Sequence, residues 1–211
     1  ITYAKMQPII SFGQSIEIHT AQNGFPSLEN KKIAILGVQE DRVSVGNFGT
    51  GKDLDAIRKE LYQLYPGNWP INVADLGNIQ QGNTIEDTYF ALNELLSYLL
   101  KRGVIPVILG GGQDLTYSNY RAYDLLEQTV NIVAVDSKFD LGSIEDELTS
   151  QSYLSKIVMN QPANLFNFCN IGYQTYFNSQ EEIELLESLF FETHRLGEVS
   201  NAIQLVEPVL R

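Results

Sequence analysis

Short apolar runs alternate along this chain with segments whose apolar residues recur every three or four positions. Lys32 to Val38 (Lys-Ile-Ala-Ile-Leu-Gly-Val) predicts a first buried strand, Ile71 to Leu76 a second, Val104 to Leu109 a third, Asn131 to Val135 a fourth and Asn164 to Ile171 a fifth. Asp53 to Tyr65 places Leu54, Ile57, Leu61 and Leu64 at helical spacing and is stopped by Pro66-Gly67. Thr84, with Asp87 three residues on, predicts the capped start of a long helix whose stripe is Tyr89, Leu92, Leu95, Leu96 and Leu99. Gly103 ends it after Lys101-Arg102, two cations suited to the negative end of the helix dipole. Further helices are expected over Tyr117 to Glu127 and Thr149 to Met159, and Ser179 with Glu182 caps another that runs to Phe191. Val199 to Leu210 is weakly helical, residues 1–30 are irregular, and Arg42 to Lys52 is a glycine-bearing loop.

Strands alternating with helices at this spacing imply βαβ units and a parallel sheet. The strands are apolar throughout, as for a sheet covered on both faces. The expectation is one α/β domain over residues 1–211, a three-layer αβα arrangement with a mostly parallel sheet. Ligands of such folds sit at the carboxyl ends of the strands. That singles out the loop after Leu109 and the loop after Val135.

Charge narrows the partners. The 211 residues carry a formal net charge of −12, which opposes phosphate backbones and anionic membrane surfaces. No nucleic-acid or membrane partner is therefore expected. The acidic clusters Glu145-Asp146-Glu147 and Glu181-Glu182 suit solvated helix faces. No apolar run approaches the roughly 20 residues of a membrane span. One cysteine, Cys169, excludes an intrachain disulfide and fits a reducing, cytoplasmic setting; its apolar surroundings suit a small buried hydrophobe better than a nucleophile. The chain begins at Ile1, not Met, so its start is expected to be trimmed or disordered, and the end at Arg211 is expected to be artificial.

Three segments hold candidate chemistry. Gly46-Asn47-Phe48-Gly49-Thr50-Gly51-Lys52 has the spacing of a phosphate loop, but Asp53 stands where a hydroxyl should bind magnesium, and the loop begins well after its strand. A flexible entry to a helix is the better expectation. Gly110-Gly111-Gly112 allows a sharp turn and close backbone approach, placing Gln113 and Asp114 at the ligand-binding edge. Asp136-Ser137-Lys138-Phe139-Asp140 follows the fourth strand, and alternation in an extended segment puts Asp136, Lys138 and Asp140 on one face. Two carboxylates flanking one position suit a cation site, except that the middle group is an ammonium.

Together the last two segments resemble a known family. Leu109-Gly110-Gly111-Gly112-Gln113-Asp114 resembles the Gly-Gly-x-His segment of the ureohydrolases (arginase, agmatinase and formimidoylglutamase), and Val135-Asp136-Ser137-Lys138-Phe139-Asp140-Leu141 resembles their Asp-Ala-His-x-Asp segment. The phenylalanine and the triple glycine are nearest the formimidoylglutamase branch. Supporting matches are Gly37-Val38-x-Glu40-Asp41, Asn47-x-Gly49, Ala56-Ile57-Arg58-Lys59-x-Leu61, Asp75-Leu76-Gly77, and Ile171-Gly172 with Gln174.

The resemblance implies an arginase/deacetylase-like fold, with part of its C-terminal region expected to lie beyond Arg211, and, in active members, two manganese ions held by two histidines and four aspartates. The ions lower the pKa of a bridging water that attacks a guanidinium or formimino carbon. Carried onto this chain, the first histidine falls on Gln113 and the second on Lys138, while Asp136 and Asp140 remain as ligand positions, with Gly111, Gly112 and Asp114 nearby. A cationic lysine has no lone pair for a metal, and a glutamine carbonyl is a poor substitute for imidazole. His19 and His194 match no ligand position. No cofactor is expected, and Lys138 is expected to replace the metal's charge by pairing with Asp136 and Asp140. The implied protein is a catalytically degenerate relative acting in binding or scaffolding, on a small molecule such as a carboxylated amine or on a protein partner, and forming homo-oligomers as the family does. The alternative is an active hydrolase of linear amidine or guanidine C–N bonds with two manganese ions. A nucleotide switch through Lys52 is a weaker third.

Overall fold

The computed structural model describes residues 10–68, 72–143, 145 and 147–210, the side chains of 209 and 210 excepted. Ile71, at the start of the expected second strand, and Asp146 lie outside the described residues. The chain divides into two compact units, Ile1–Gly112 and Gln113–Arg211.

In the first unit, α1 (Phe12–Ser15) and β1 (Glu17–Ile18) precede β2 (Ile33–Val38), α2 (Leu54–Gln63), β3 (Val73–Ile79), α3 (Ile85–Leu100) and β4 (Ile105–Leu109). The strands form a parallel sheet in the order β1-β3-β2-β4. Thr84 caps α3 as expected: its hydroxyl accepts from the Asp87 N–H, and the Asp87 carboxylate accepts from the Thr84 N–H. The face of α3 that carries Leu92, Leu96 and Leu99 is buried, and Gly103 closes the helix at φ 67°.

The second unit contains α4 (Leu115–Asp124), β5 (Val130–Val135), α5 (Tyr153–Val158), β6 (Leu165–Tyr173), α6 (Gln180–Ser188), β7 (Glu192–Arg195) and α7 (Leu196–Asn201), with short 3-10 turns at Thr175–Phe177 and Ile203–Leu210. Its parallel sheet has the order β5-β6-β7. Tyr120, Phe139, Leu141, Tyr153, Leu154, Ile157, Phe168 and Leu186 form its main core. The Ser179–Glu182 capping box opens α6 as expected.

Several sequence expectations change. Residues 192–195, all four polar, form β7, because register with β6 supplies what local propensity does not. The helix expected over 149–159 shortens to α5, since Thr149 and Ser152 exchange side-chain and backbone hydrogen bonds in a turn before it. The irregular start contains α1 and β1, and the weakly helical end splits into α7 and a 3-10 turn. Burial on both faces holds for β2; in β4 and β5 alternate apolar residues are exposed, Ile105 at 62% and Val135 at 81%. These two strands end their respective sheet orders, so fewer elements cover them.

Candidate functional site

The triple glycine does what its composition suggests. Gly110 and Gly111 adopt φ of 67° and 86°, and a side chain at Gly110 would meet Leu54 Cδ2 at 2.0 Å and the Thr50 carbonyl at 2.9 Å. The Gly112 N–H donates to the Glu40 carbonyl at 2.8 Å. The loop beneath is not a phosphate site. The N–H groups of Gly49 and Gly51, which a phosphate would need, both donate to the Asp41 carboxylate, at 2.8 and 3.0 Å. An internal anion already fills that cradle, which removes the case for nucleotide binding through Lys52.

In the second unit β5 delivers Asp136 just past its last residue, while Gln113 stands just before α4. The Gln113 amide nitrogen donates to Asp136 Oδ2 at 2.8 Å and lies 3.4 Å from the Tyr153 hydroxyl. Asp136 Oδ1 accepts from the Lys138 N–H at 3.0 Å. Gln113 is thus a donor to Asp136 and offers it no carbonyl. Tyr153 is buried, which pushes its phenol up, with Asp140 and Asp136 adding to the effect, so it remains protonated.

Strand geometry stops at Val135, and the expected alternation fails beyond it. Asp136 is half-buried, Lys138 is exposed, and Phe139 and Asp140 are buried. Asp140 sits at φ 53°, a left-handed conformation that an aspartate tolerates better than most residues. The expected pairing of Lys138 with the two aspartates is not formed: among the described residues Lys138 makes no ion pair within 4.0 Å. The reason is the turn. It sends Phe139 into the core, against Tyr173 with ring centroids 4.9 Å apart, and leaves the lysine in solvent.

Asparagines shape this turn. Asn178 accepts from the Phe139 N–H at 2.8 Å and donates to the Ser137 carbonyl at 3.0 Å, and Asn170 donates to the Lys138 carbonyl at 3.2 Å. The Gln174 N–H also donates to Ser137 O, at 3.0 Å. Tyr153, Asn170 and Asn178 were not singled out by sequence reasoning; Asn170, a polar residue inside an apolar strand, was the available signal. Asp114 is fully buried at the head of α4.

Burial, then the neighbouring Asp136, pushes the Asp140 carboxyl up to about 7, and Lys138 only partly offsets this. An aspartate raised above its unfolded value of 3.8 destabilises the fold as pH rises from about 4 to about 7 and adds no further cost above that. Asp140→Asn keeps the shape, suits the positive φ and removes the charge. In metal-free solution it should unfold at a higher urea concentration than the parent at pH 8, with the difference shrinking toward pH 4; equal gains at both pH values would rule out the desolvated carboxyl as the cause. Cys169 is 1% exposed, and burial together with Glu192 raises its thiol to about 11, so it does not act as a nucleophile at neutral pH. His19 bonds the Gly24 carbonyl through Nδ1 at 2.8 Å, and His194 lies on β7, two residues before the start of α7.

Comparison with known proteins places these features. The Arginase family model matches residues 31–208. The chain belongs to the arginase family. It is 27% identical over 165 residues to the formimidoylglutamase of Macrococcus caseolyticus, covering 75% of this chain and 52% of that protein. The formimidoylglutamase of Lysinibacillus sphaericus is 26% identical over 180 residues, covering 80% and 54%. This arginase-family chain therefore spans about half the length of the curated relatives it matches. Among solved structures, the formimidoylglutamase of Bacillus subtilis is similar with a TM-score of 0.82 at 18% identity, over 98% of this chain and 67% of that one. Trypanosoma cruzi formiminoglutamase with Mn2+ gives a TM-score of 0.74 at 22% identity, over 84% and 65%. These likenesses show the fold: three-layer α/β with parallel sheets, arginase-like. No helix among the described residues is long and apolar enough to cross a membrane.

The described residues of this chain do not by themselves assemble the ligand set of a two-manganese centre. Among the described residues, Asp136 and Asp140 belong to no group of three or more His, Cys, Asp or Glu side chains placed to share a metal. Asp136 is hydrogen-bonded to an amide, Gln113 turns its nitrogen inward, and Lys138 offers a cation.

Proposed function

We propose that this arginase-family chain is a catalytically degenerate relative of the formimidoylglutamases, retaining the loop geometry for binding or scaffolding. The observation behind this reading is the Gln113–Asp136 hydrogen bond at 2.8 Å. Two positions that the resemblance assigns to metal ligands satisfy each other directly, so the carboxylate has no need of an ion. With Lys138 in solvent and Asp140 raised to about 7 by burial and by Asp136, Asp140 is a weak ligand in the metal-free state. The occupant proposed for the loop region is a carboxylated amine or a protein partner, a second copy of the chain included.

A second reading, a manganese-dependent hydrolase of linear amidines, is favoured by the two carboxylates Asp136 and Asp140 that stand at family ligand positions, Asp140 buried. Both readings meet in one experiment. Purified protein equilibrated with manganese and then desalted is expected to retain far less than one ion per chain, and Gln113→His with Lys138→His is expected to raise retention. Stoichiometric manganese in the parent protein would overturn the degenerate reading.

A further inference from the structure

We propose that Cys169, Glu192 and His194 form a binding site for one zinc-class divalent ion, apart from the Asp136 and Asp140 positions and independent of whether those hold metal. The parallel register of β6 and β7 creates it. Cys169 is paired with Glu192 and Ile171 with His194, so the thiol, carboxylate and imidazole converge on one face of the two strands. The three donor atoms lie within 4.8 Å of one another, and this is the one group of three His, Cys, Asp or Glu found so placed among the described residues.

The one separation the structure gives for a donor pair is near what a tetrahedral ion imposes. Bonds of roughly 2.3 Å to sulfur and roughly 2.0–2.2 Å to nitrogen and oxygen put neighbouring donors about 3.3–3.7 Å apart. The His194 Nε2 to Glu192 Oε2 separation is 3.8 Å. That is too long for a hydrogen bond, and a closure of a few tenths of an ångström by the exposed Glu192 brings the two onto one ion.

A second observation points the same way. His194 Nε2 is buried and has no hydrogen-bond partner among the described residues. A buried ring nitrogen left unsatisfied is costly, and a metal satisfies it outright. Val199 of α7 and Val206 beyond it pack with Cys169 and Ile171 into a small apolar cluster that shelters the sulfur, while Glu192 is exposed. Three protein ligands and an open side match the arrangement in which zinc keeps a position for water or an exogenous ligand. A thiolate with an imidazole selects zinc, cobalt or copper over magnesium, calcium or manganese. On binding, the Cys169 Sγ–H bond is exchanged for an Sγ–metal bond, and the proton leaves to solvent.

Cobalt(II) alone, titrated into chelator-treated full chain, reads the site directly. The expected result is saturation at about one equivalent with a thiolate-to-cobalt charge-transfer band and the intense visible absorption of a tetrahedral ion, both erased by added zinc. Cys169→Ser should abolish the charge-transfer band. His194→Gln, at a less buried position, should weaken cobalt binding by on the order of 100-fold or more, since even supporting residues around a metal carry about 10–100-fold. Asp136→Asn with Asp140→Asn should leave the band unchanged, which separates this site from the family's metal positions. Absence of a thiolate band in the parent chain, or a band that survives His194→Gln at unchanged affinity, would overturn the proposal.

Discussion

Replacing Arg58 with alanine is expected to lower the unfolding free energy by about 3–5 kcal/mol, the cost of leaving a buried charge without its partner. Arg58 on α2 is 7% exposed, and Asp75 on β3 is fully buried. The guanidinium grips the carboxylate with two hydrogen bonds, Nε to Oδ2 at 2.8 Å and Nη2 to Oδ1 at 3.1 Å. It also donates to Asn78 Oδ1 at 2.6 Å and to the Gly77 carbonyl at 2.9 Å, while the Tyr62 hydroxyl donates to Asp75 at 2.8 Å. Lysine cannot reproduce the planar fork and should recover only part of the loss. Urea unfolding measures the effect directly. Since the damage comes from the orphaned carboxylate, Arg58→Met combined with Asp75→Asn should be more stable than Arg58→Met alone. A double variant no better than the single one would show that the arginine acts through packing instead.

Phe139→Ala should be comparably costly, about 3–5 kcal/mol, and should lower the melting temperature by roughly 10 °C. Phe139 has no exposed surface and packs among Tyr153, Leu154, Ile157 and Phe168. It is also the pivot of the turn that buries Asp140 and leaves Lys138 in solvent. Truncation should therefore loosen the site as well as the core. Amide exchange of Leu154, whose N–H donates to the Asp140 carbonyl at 3.3 Å, reports the local part. Protection at Leu154 that falls no more than in a variant of equal global stability would disconnect the turn from the core.

These two residues also show what was legible. Arg58 and Asp75 both fell within segments that resemble the family, yet nothing local to either says that they meet. They lie 17 positions apart, and their contact exists only because β3 returns parallel beside β2. The helix stripes, the two capping boxes and the glycine turn were readable because each depends on neighbours within a turn or two of chain. β7 was not, since Glu-Thr-His-Arg has no apolar pattern and takes its conformation from β6. The fate of Lys138 was misjudged for a related reason. Alternation holds only while the backbone stays extended, and here Asn178 and Asn170, more than thirty positions away, bend it.

The sequence by itself determined the alternating α/β pattern and the motif segments that mark the arginase family. Those properties reside in residue type and short-range spacing. Tertiary structure alone decided that Gln113 bonds Asp136, that Lys138 faces water, that Asp41 fills the glycine loop, and that a cysteine, a glutamate and a histidine share one face of two strands. Each of these depends on strand register or loop closure between distant segments, where the direction of a side chain is set by its partners and not by its neighbours in the chain.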